Sequence, residues 1–155
     1  MRRKYASLRN LNVDLMYSFD LQQRIRYGET DQMGYVYYGR YAEFYEIGRT
    51  EMIRNLGMTY RDLESRGIML PVVRMSARYL RPASYDELIT IRTSLRSLPT
   101  ARITFHYEIF NEAGELLNEA ECQLVFTDAA TRRPVRPPKD LMDAIGPYFA
   151  VEGDI

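Results

Sequence analysis

The spacing of apolar positions divides the chain into a helical stretch followed by an extended one. Over residues 38–56 the positions Tyr41, Phe44, Tyr45, Gly48, Met52, Ile53 and Leu56 recur at three- and four-residue steps. That period predicts one long helix with a single buried stripe, ended by Gly57. Thr59 stands three residues ahead of Asp62, the start signal of a short second helix that stops before Gly67. After Gly67 the period becomes two. Residues 69–80 read as extended, 88–95 set Ile89, Ile91, Thr93 and Leu95 against Thr90, Arg92 and Ser94, and 102–110 set Ile103, Phe105, Tyr107 and Ile109 against Thr104, His106 and Glu108. The turn Asn111-Glu112-Ala113-Gly114 leads to a strand with Ala120, Cys122, Leu124 and Phe126 on one face. Residues 22–27 predict a strand ahead of the long helix, and 140–145 a short closing helix behind Pro134, Pro137 and Pro138.

Strand, loop, long helix, short helix and then closely connected strands make an α+β class. Short connections favour antiparallel pairing, and one apolar helical stripe favours a sheet curled around that helix. The plan is one domain over 21–147, an N-terminal extension over 1–20 and a C-terminal tail over 148–155. Leu11, Val13, Leu15, Met16 and Phe19 in the extension suit a short helix packed on the body.

Composition narrows the function classes. The 155 residues are 46% hydrophobic and 27% charged, an ordinary globular mixture. Lysine plus arginine equal aspartate plus glutamate at 21 each, so no overall field draws the chain to nucleic acid or anionic membranes. The single cysteine forms no intrachain disulfide and fits a reducing, cytoplasmic setting. No apolar run approaches the roughly 20 residues of a membrane span. The basic N-terminus lacks the apolar stretch of a signal peptide.

His106, the one histidine, falls by parity on the polar face of its strand, which disfavours a serine–histidine–aspartate site or a multi-histidine metal site. Cys122 keeps register with Ala120 and Leu124 as a small core hydrophobe. Gly28, Gly34 and Gly39 match neither the phosphate-loop spacing nor the dinucleotide fingerprint. Asp31 is left, with two readings. An aspartate shortly before a helix is commonly a turn or capping residue. A helix start near Tyr38 leaves Asp31 early for that role, and unpaired amide donors at a helix N-terminus can hold a developing oxyanion beside a carboxylate.

The segment RYGETDQMGYVYYGRYAEFYEIG, residues 26–48, resembles the active-site segment of hotdog-fold acyl-CoA thioesterases, in the branch of 4-hydroxybenzoyl-CoA and tol-pal-associated enzymes. The pattern Tyr-x-x-x-Asp-x-x-Gly-x-Val-Tyr is met by Tyr27, Asp31, Gly34, Val36 and Tyr37, followed by Tyr41. RTEMIRNLG at 49–57 and LPVVRMSARYLRPASYDELITI at 70–91 extend the likeness, which covers about residues 22–138. The resemblance implies a hotdog fold of about five strands around one helix, assembled as a homodimer or homotetramer with sites between subunits. It implies hydrolysis of an acyl-CoA thioester without metal or prosthetic group, coenzyme A being part of the substrate. Asp31 would attack the carbonyl or activate water, the Tyr38 backbone N–H would polarise the thioester oxygen, and Gly34 would shape the loop. The tol-pal-associated enzymes commonly carry histidine where this chain has Tyr38, whereas the hydroxybenzoyl type has tyrosine. Tyr35, Val36, Tyr37 and Pro71 are candidates for the acyl tunnel, with aromatic core packing as the other explanation. For the coenzyme A phosphates the candidates are Arg102 and Arg133, in bidentate contact, against a solvated surface run. Glu29 is a second pocket carboxylate or, in the preferred reading, a solvated loop charge, and Glu43 and Glu46 read as helix-surface or interface charges. An acyl-carrier-protein thioesterase and a non-catalytic acyl-CoA binder are the alternatives.

Overall fold

The computed structural model describes residues 16–150. Strand β1 (Tyr17–Arg24) is followed by a 3-10 turn at Tyr27–Glu29, a loop, and a second 3-10 turn at Tyr38–Arg40 that runs into helix α1 (Tyr41–Asn55). Helix α2 (Tyr60–Ser65) leads to β2 (Ile68–Met69), β3 (Val72–Tyr79), β4 (Leu88–Leu95), β5 (Arg102–Phe110), β6 (Leu116–Val125), β7 (Thr127–Asp128) and α3 (Lys139–Ile145). The main sheet has five antiparallel strands in the order β1-β4-β5-β6-β3, and β2 pairs with β7.

Helix α1 lays Tyr41, Phe44, Tyr45, Gly48, Met52 and Ile53 against the sheet, the stripe that its period predicts. The facing sheet positions are Ile89, Ile91, Ile103, Phe105, Tyr107, Ile109, Cys122 and Leu124, all buried. Tyr45 stacks on Tyr107 at 4.7 Å between ring centroids, and its hydroxyl donates to Asn118 Oδ1 in the same interior. Burying both faces of this two-layer contact is the main term holding the domain together, at roughly 25 cal/mol per Å² of apolar area removed from water. Helix α2 carries the expected capping box, with Asp62 N–H donating to Thr59 Oγ1 at 3.0 Å and Thr59 N–H donating to Asp62 Oδ2 at 3.1 Å.

Two expectations change at the ends. Residues 17–20 are strand rather than part of an appended helix, so the first strand lies earlier than 22–27 and crosses the expected domain start. Tyr17, Phe19 and Leu21 point inward opposite Leu95, Thr93 and Ile91 of β4, while Asp20 meets Arg92 through two hydrogen bonds of 2.9 and 3.0 Å. That alternation is visible in the sequence once β4 is known to be the partner. Residues 1–15 of the extension lie outside the described residues, as do 151–155 of the tail. Tyr148, placed in the tail, packs its ring 4.5 Å from that of Tyr17.

The edge strand β3 is unusual. Val72, Val73, Met75 and Tyr79 are exposed on a strand paired on one side only, with β6. The opposite sheet face is polar and charged as its parity predicts.

Candidate active site

The loop between β1 and α1 is held by its own backbone. Asp31 N–H donates to Tyr35 O at 2.8 Å, Gly34 N–H donates to Asp31 O at 3.0 Å, and Val36 N–H donates to Ala83 O at 2.8 Å. Gly34 closes the turn at φ +80, a left-handed conformation that glycine adopts without strain. Asp31 is half-buried. Its Oδ1 accepts from Met33 N–H at 2.9 Å, and among the described residues Oδ2 has no hydrogen-bond partner. One oxygen braces the turn and the other is free.

Asp31 borders a pocket of about 240 Å³ whose walls are Met33, Tyr35, Val36, Tyr38, Tyr41, Tyr79, Leu80, Arg81 and Pro82. Tyr79 packs edge-on against Tyr41 at 5.3 Å and against Tyr38 at 6.5 Å. Burial pushes the Tyr41 phenol up to about 12, with Tyr79 adding to the effect and a hydrogen bond with the Ala83 backbone opposing it. Tyr41 is thus a neutral wall at ordinary pH.

Tyr37 N–H donates to Glu29 O at 2.9 Å, and Arg40 N–H donates back to Tyr37 O at 2.8 Å. The intervening N–H groups of Tyr38 and Gly39 have no hydrogen-bond partner among the described residues, as the opening turn of a helix leaves them. The Tyr38 N–H is the donor that the sequence singled out; the Gly39 N–H stands beside it. Tyr38 carries its ring into the pocket wall; Tyr37, packed 4.7 Å from the Tyr38 ring, is half-exposed and stands outside the lining.

Other sequence candidates fall elsewhere. Arg102 is opposite Val125 on β6, whereas Tyr79 at the pocket is opposite Asn118. Seven strand residues separate these positions, about 23 Å at 3.3 Å per residue. Arg102 instead reaches Gln123 Oε1 at 2.9 Å. Arg133 sits near the same far end, its carbonyl accepting from Asp128 N–H at 2.9 Å. One chain therefore does not bring Arg102 or Arg133 to Asp31. Pro71 precedes β3 at the end remote from Tyr79 and does not line the pocket. Glu29 is buried at 5% exposure rather than solvated, its Oε1 accepting from Arg26 N–H at 2.7 Å. Glu43 and Glu46 are exposed on α1 as expected.

His106 is half-buried on the outer sheet face, in a groove with Arg78, Arg96, Glu108, Glu119 and Glu121. Burial holds its imidazole below the usual histidine value, Arg96 acting in the same sense and Glu121 against it. It takes no part in the Asp31 pocket. Cys122 is buried, and burial pushes its thiol up. Among the described residues no group of three or more His, Cys, Asp or Glu side chains could hold a metal ion. No described helix is long and apolar enough to cross a membrane.

Tyr79, Leu80, Arg81 and Pro82 are the wall that sequence reasoning did not single out. They lie some fifty residues after Asp31 and reach it because β3 is the edge strand beside the helix start. The one local signal is the break at Arg81-Pro82, which ends β3 next to the loop.

Comparison with known proteins fits this geometry. The chain is 36% identical over 112 residues to YneP of Bacillus subtilis, covering 72% of this chain and 81% of that protein. It is 34% identical over 119 residues to the acyl-CoA thioester hydrolase YbgC of Escherichia coli O6:H1, covering 77% and 89%. Among solved structures, a DHNA-CoA thioesterase from Staphylococcus aureus superposes with a TM-score of 0.80 at 32% identity, covering 84% of this chain and 89% of that one. A family model described as the thioesterase-like superfamily matches residues 25–145, which hold the helix, the five-stranded sheet's β3–β6 and every lining residue of the Asp31 pocket. Helix, sheet order and loop agree with that match, and the chain belongs to the thioesterase-like superfamily of hotdog-fold proteins.

Proposed function

We propose that the protein hydrolyses acyl-CoA thioesters at the Asp31 pocket. The observation that carries this reading is one carboxylate oxygen without a partner among the described residues, in an aromatic pocket lined also by Tyr38, the helix-start residue whose N–H is unpaired. A thioester carbonyl seated with its oxygen toward those amides would be polarised, and charge developing on that oxygen in the tetrahedral intermediate would be stabilised. The Asp31 carboxylate acts either as base, taking a proton from the attacking water, or as nucleophile, forming an anhydride that water then opens. Both routes break the carbon–sulfur bond, release coenzyme A as the thiol and leave the free acid. Neither draws on a metal or prosthetic group. Val36, Tyr38, Tyr41 and Tyr79 would surround the acyl group, with Gly34 and Tyr37 shaping the loop around it.

The assembly belongs to this reading. An exposed apolar edge strand such as β3 invites pairing with a second copy. Antiparallel pairing about a two-fold would set the Tyr79 end of one β3 against the Val72 end of the other, and thereby bring a second copy's Arg102 and Arg133 toward the first copy's Asp31. Phosphate contacts to coenzyme A from these arginines thus require a homodimer, alone or within a homotetramer. The zero net charge and single buried cysteine accord with a cytoplasmic setting.

The test is a panel of aliphatic and aromatic acyl-CoA and acyl-carrier-protein substrates, assayed by thiol release, with Asp31→Asn beside the wild type. Asparagine keeps the oxygen that accepts from Met33 N–H, so the loop is retained. Turnover should fall at least about 100-fold without loss of stability. Undiminished turnover in Asp31→Asn, or tight binding without hydrolysis in the wild type, would retire the assignment.

A further inference from the structure

Glu29 is the only charged side chain that is buried among the described residues. Removing a carboxylate from water is costly unless hydrogen bonds compensate. Here compensation comes from Arg26 N–H at 2.7 Å and from Arg26 Nε at 3.4 Å, the guanidinium itself being largely exposed. Exchanging Glu29 alone for an apolar side chain would leave Arg26 N–H without its acceptor. The chain keeps an acceptor at this place, so the geometry around it is informative.

Residue 29 joins three parts of the site. Its side chain fixes Arg26, where the chain leaves β1, and so closes the 3-10 turn that ends two residues before Asp31. Its carbonyl accepts from Tyr37 N–H, the last amide before the free N–H groups of Tyr38 and Gly39. The bridge between Thr30 and Val36 then runs directly alongside. The Asp31 carboxylate and the helix-start amides are thus referenced to one peptide unit, whose orientation depends on the Glu29 side chain.

We infer that Glu29 is a positioning residue, which through its acceptor oxygen sets the spacing between the Asp31 carboxylate and the Tyr38 and Gly39 amides. This rests on the proposed thioesterase reading. Glu29 touches no substrate; its contribution is alignment, and misplacement of reacting groups by about 1 Å can cost orders of magnitude in rate.

The experiment compares Glu29→Gln and Glu29→Met, which have nearly the same length but differ in the acceptor. Gln retains an oxygen for Arg26 N–H, and its kcat should stay within about threefold of wild type. Met fills the space without accepting, and its kcat, measured well below its melting temperature, should fall about tenfold or more with KM within about twofold. A role confined to stability would move the melting temperature and leave kcat alone. Wild-type kcat in Glu29→Met overturns the inference, and so does a folded Glu29→Gln as impaired as Met. Asp31→Asn is measured alongside. If it retains activity the catalytic reading itself falls, whereas an inactive Asp31→Asn with a fully active Glu29→Met removes only the role of Glu29.

Discussion

Gly48 lies at the tightest contact between α1 and the sheet, and replacing it with alanine tests the two-layer packing directly. A Cβ at residue 48 would overlap Thr93 Oγ1, and would lie 3.1 Å from Ile91 Cγ2 and 3.6 Å from Tyr107 Cε1. Thr93 is β-branched and fully buried on a central strand, so its χ1 is restricted and the hydroxyl does not swing aside freely. The helix must instead lift by on the order of 1 Å to restore ordinary carbon contacts. Alanine in place of glycine favours a helix interior by about 1 kcal/mol. Overpacking costs about 1–3 kcal/mol, and a displaced helix of four turns lies toward the upper end. A net loss of about 1–2 kcal/mol follows, which at this chain length lowers the melting temperature by about 2–8 °C. Thr93 Oγ1 is buried without a partner among the described residues, so Thr93→Ala removes the obstruction at little cost of its own. The double variant should recover about 1 kcal/mol relative to the sum of the singles. Thermal melts and a urea double-mutant cycle measure both quantities. A Gly48→Ala protein as stable as wild type, or strict additivity with Thr93→Ala, would refute the close-packing argument.

Two other outcomes follow from the same coordinates. Burial pushes the phenols of Tyr41 and Tyr60 up to about 12 and those of Tyr45 and Tyr107 higher still. The folded state therefore holds these protons more tightly than the unfolded chain, in which tyrosine titrates near 10. Stability from this source is complete below pH 10 and is lost as pH rises through 12, by roughly 2–3 kcal/mol for Tyr41 alone. Exposed tyrosines such as Tyr27 and Tyr85 should ionise first with the circular dichroism unchanged, and the remaining tyrosinate absorbance should appear together with its loss; tyrosinate formation of all thirteen tyrosines with the fold intact would contradict the burial. Tyr38→Phe, which keeps the main-chain donor, should leave kcat within about twofold on acyl-CoA, and a collapse of kcat would show that the phenol rather than the amide takes part.

Much of this protein is legible in order of residues alone, because local periodicity reports which side of an element faces away from water. The stripe Tyr41, Phe44, Tyr45, Gly48, Met52 and Ile53 specifies α1, the alternations around Ile91 and Phe105 specify β4 and β5 with their bounds as observed, and that around Leu124 finds β6 but misses its start at Leu116 and includes Phe126, which lies beyond its end. The loop Asp31–Gly34 declares itself through its residue types, and its resemblance to thioesterase segments is confirmed by the family match.

Tertiary structure decided the remainder, for reasons of distance and pairing that no short window contains. Strand β1 begins at Tyr17 because β4 lies beside it, and the local pattern is weak without that neighbour. Tyr79, Leu80, Arg81 and Pro82 become a pocket wall because the sheet order places β3 at the edge, next to the helix start. The same order carries Arg102 and Arg133 to the far end of the sheet, away from Asp31, which no short window of sequence records. Glu29 looks like a loop charge because a glutamate's sequence context does not record enclosure; only the folded chain shows it buried against Arg26, next to the carboxylate it helps to place.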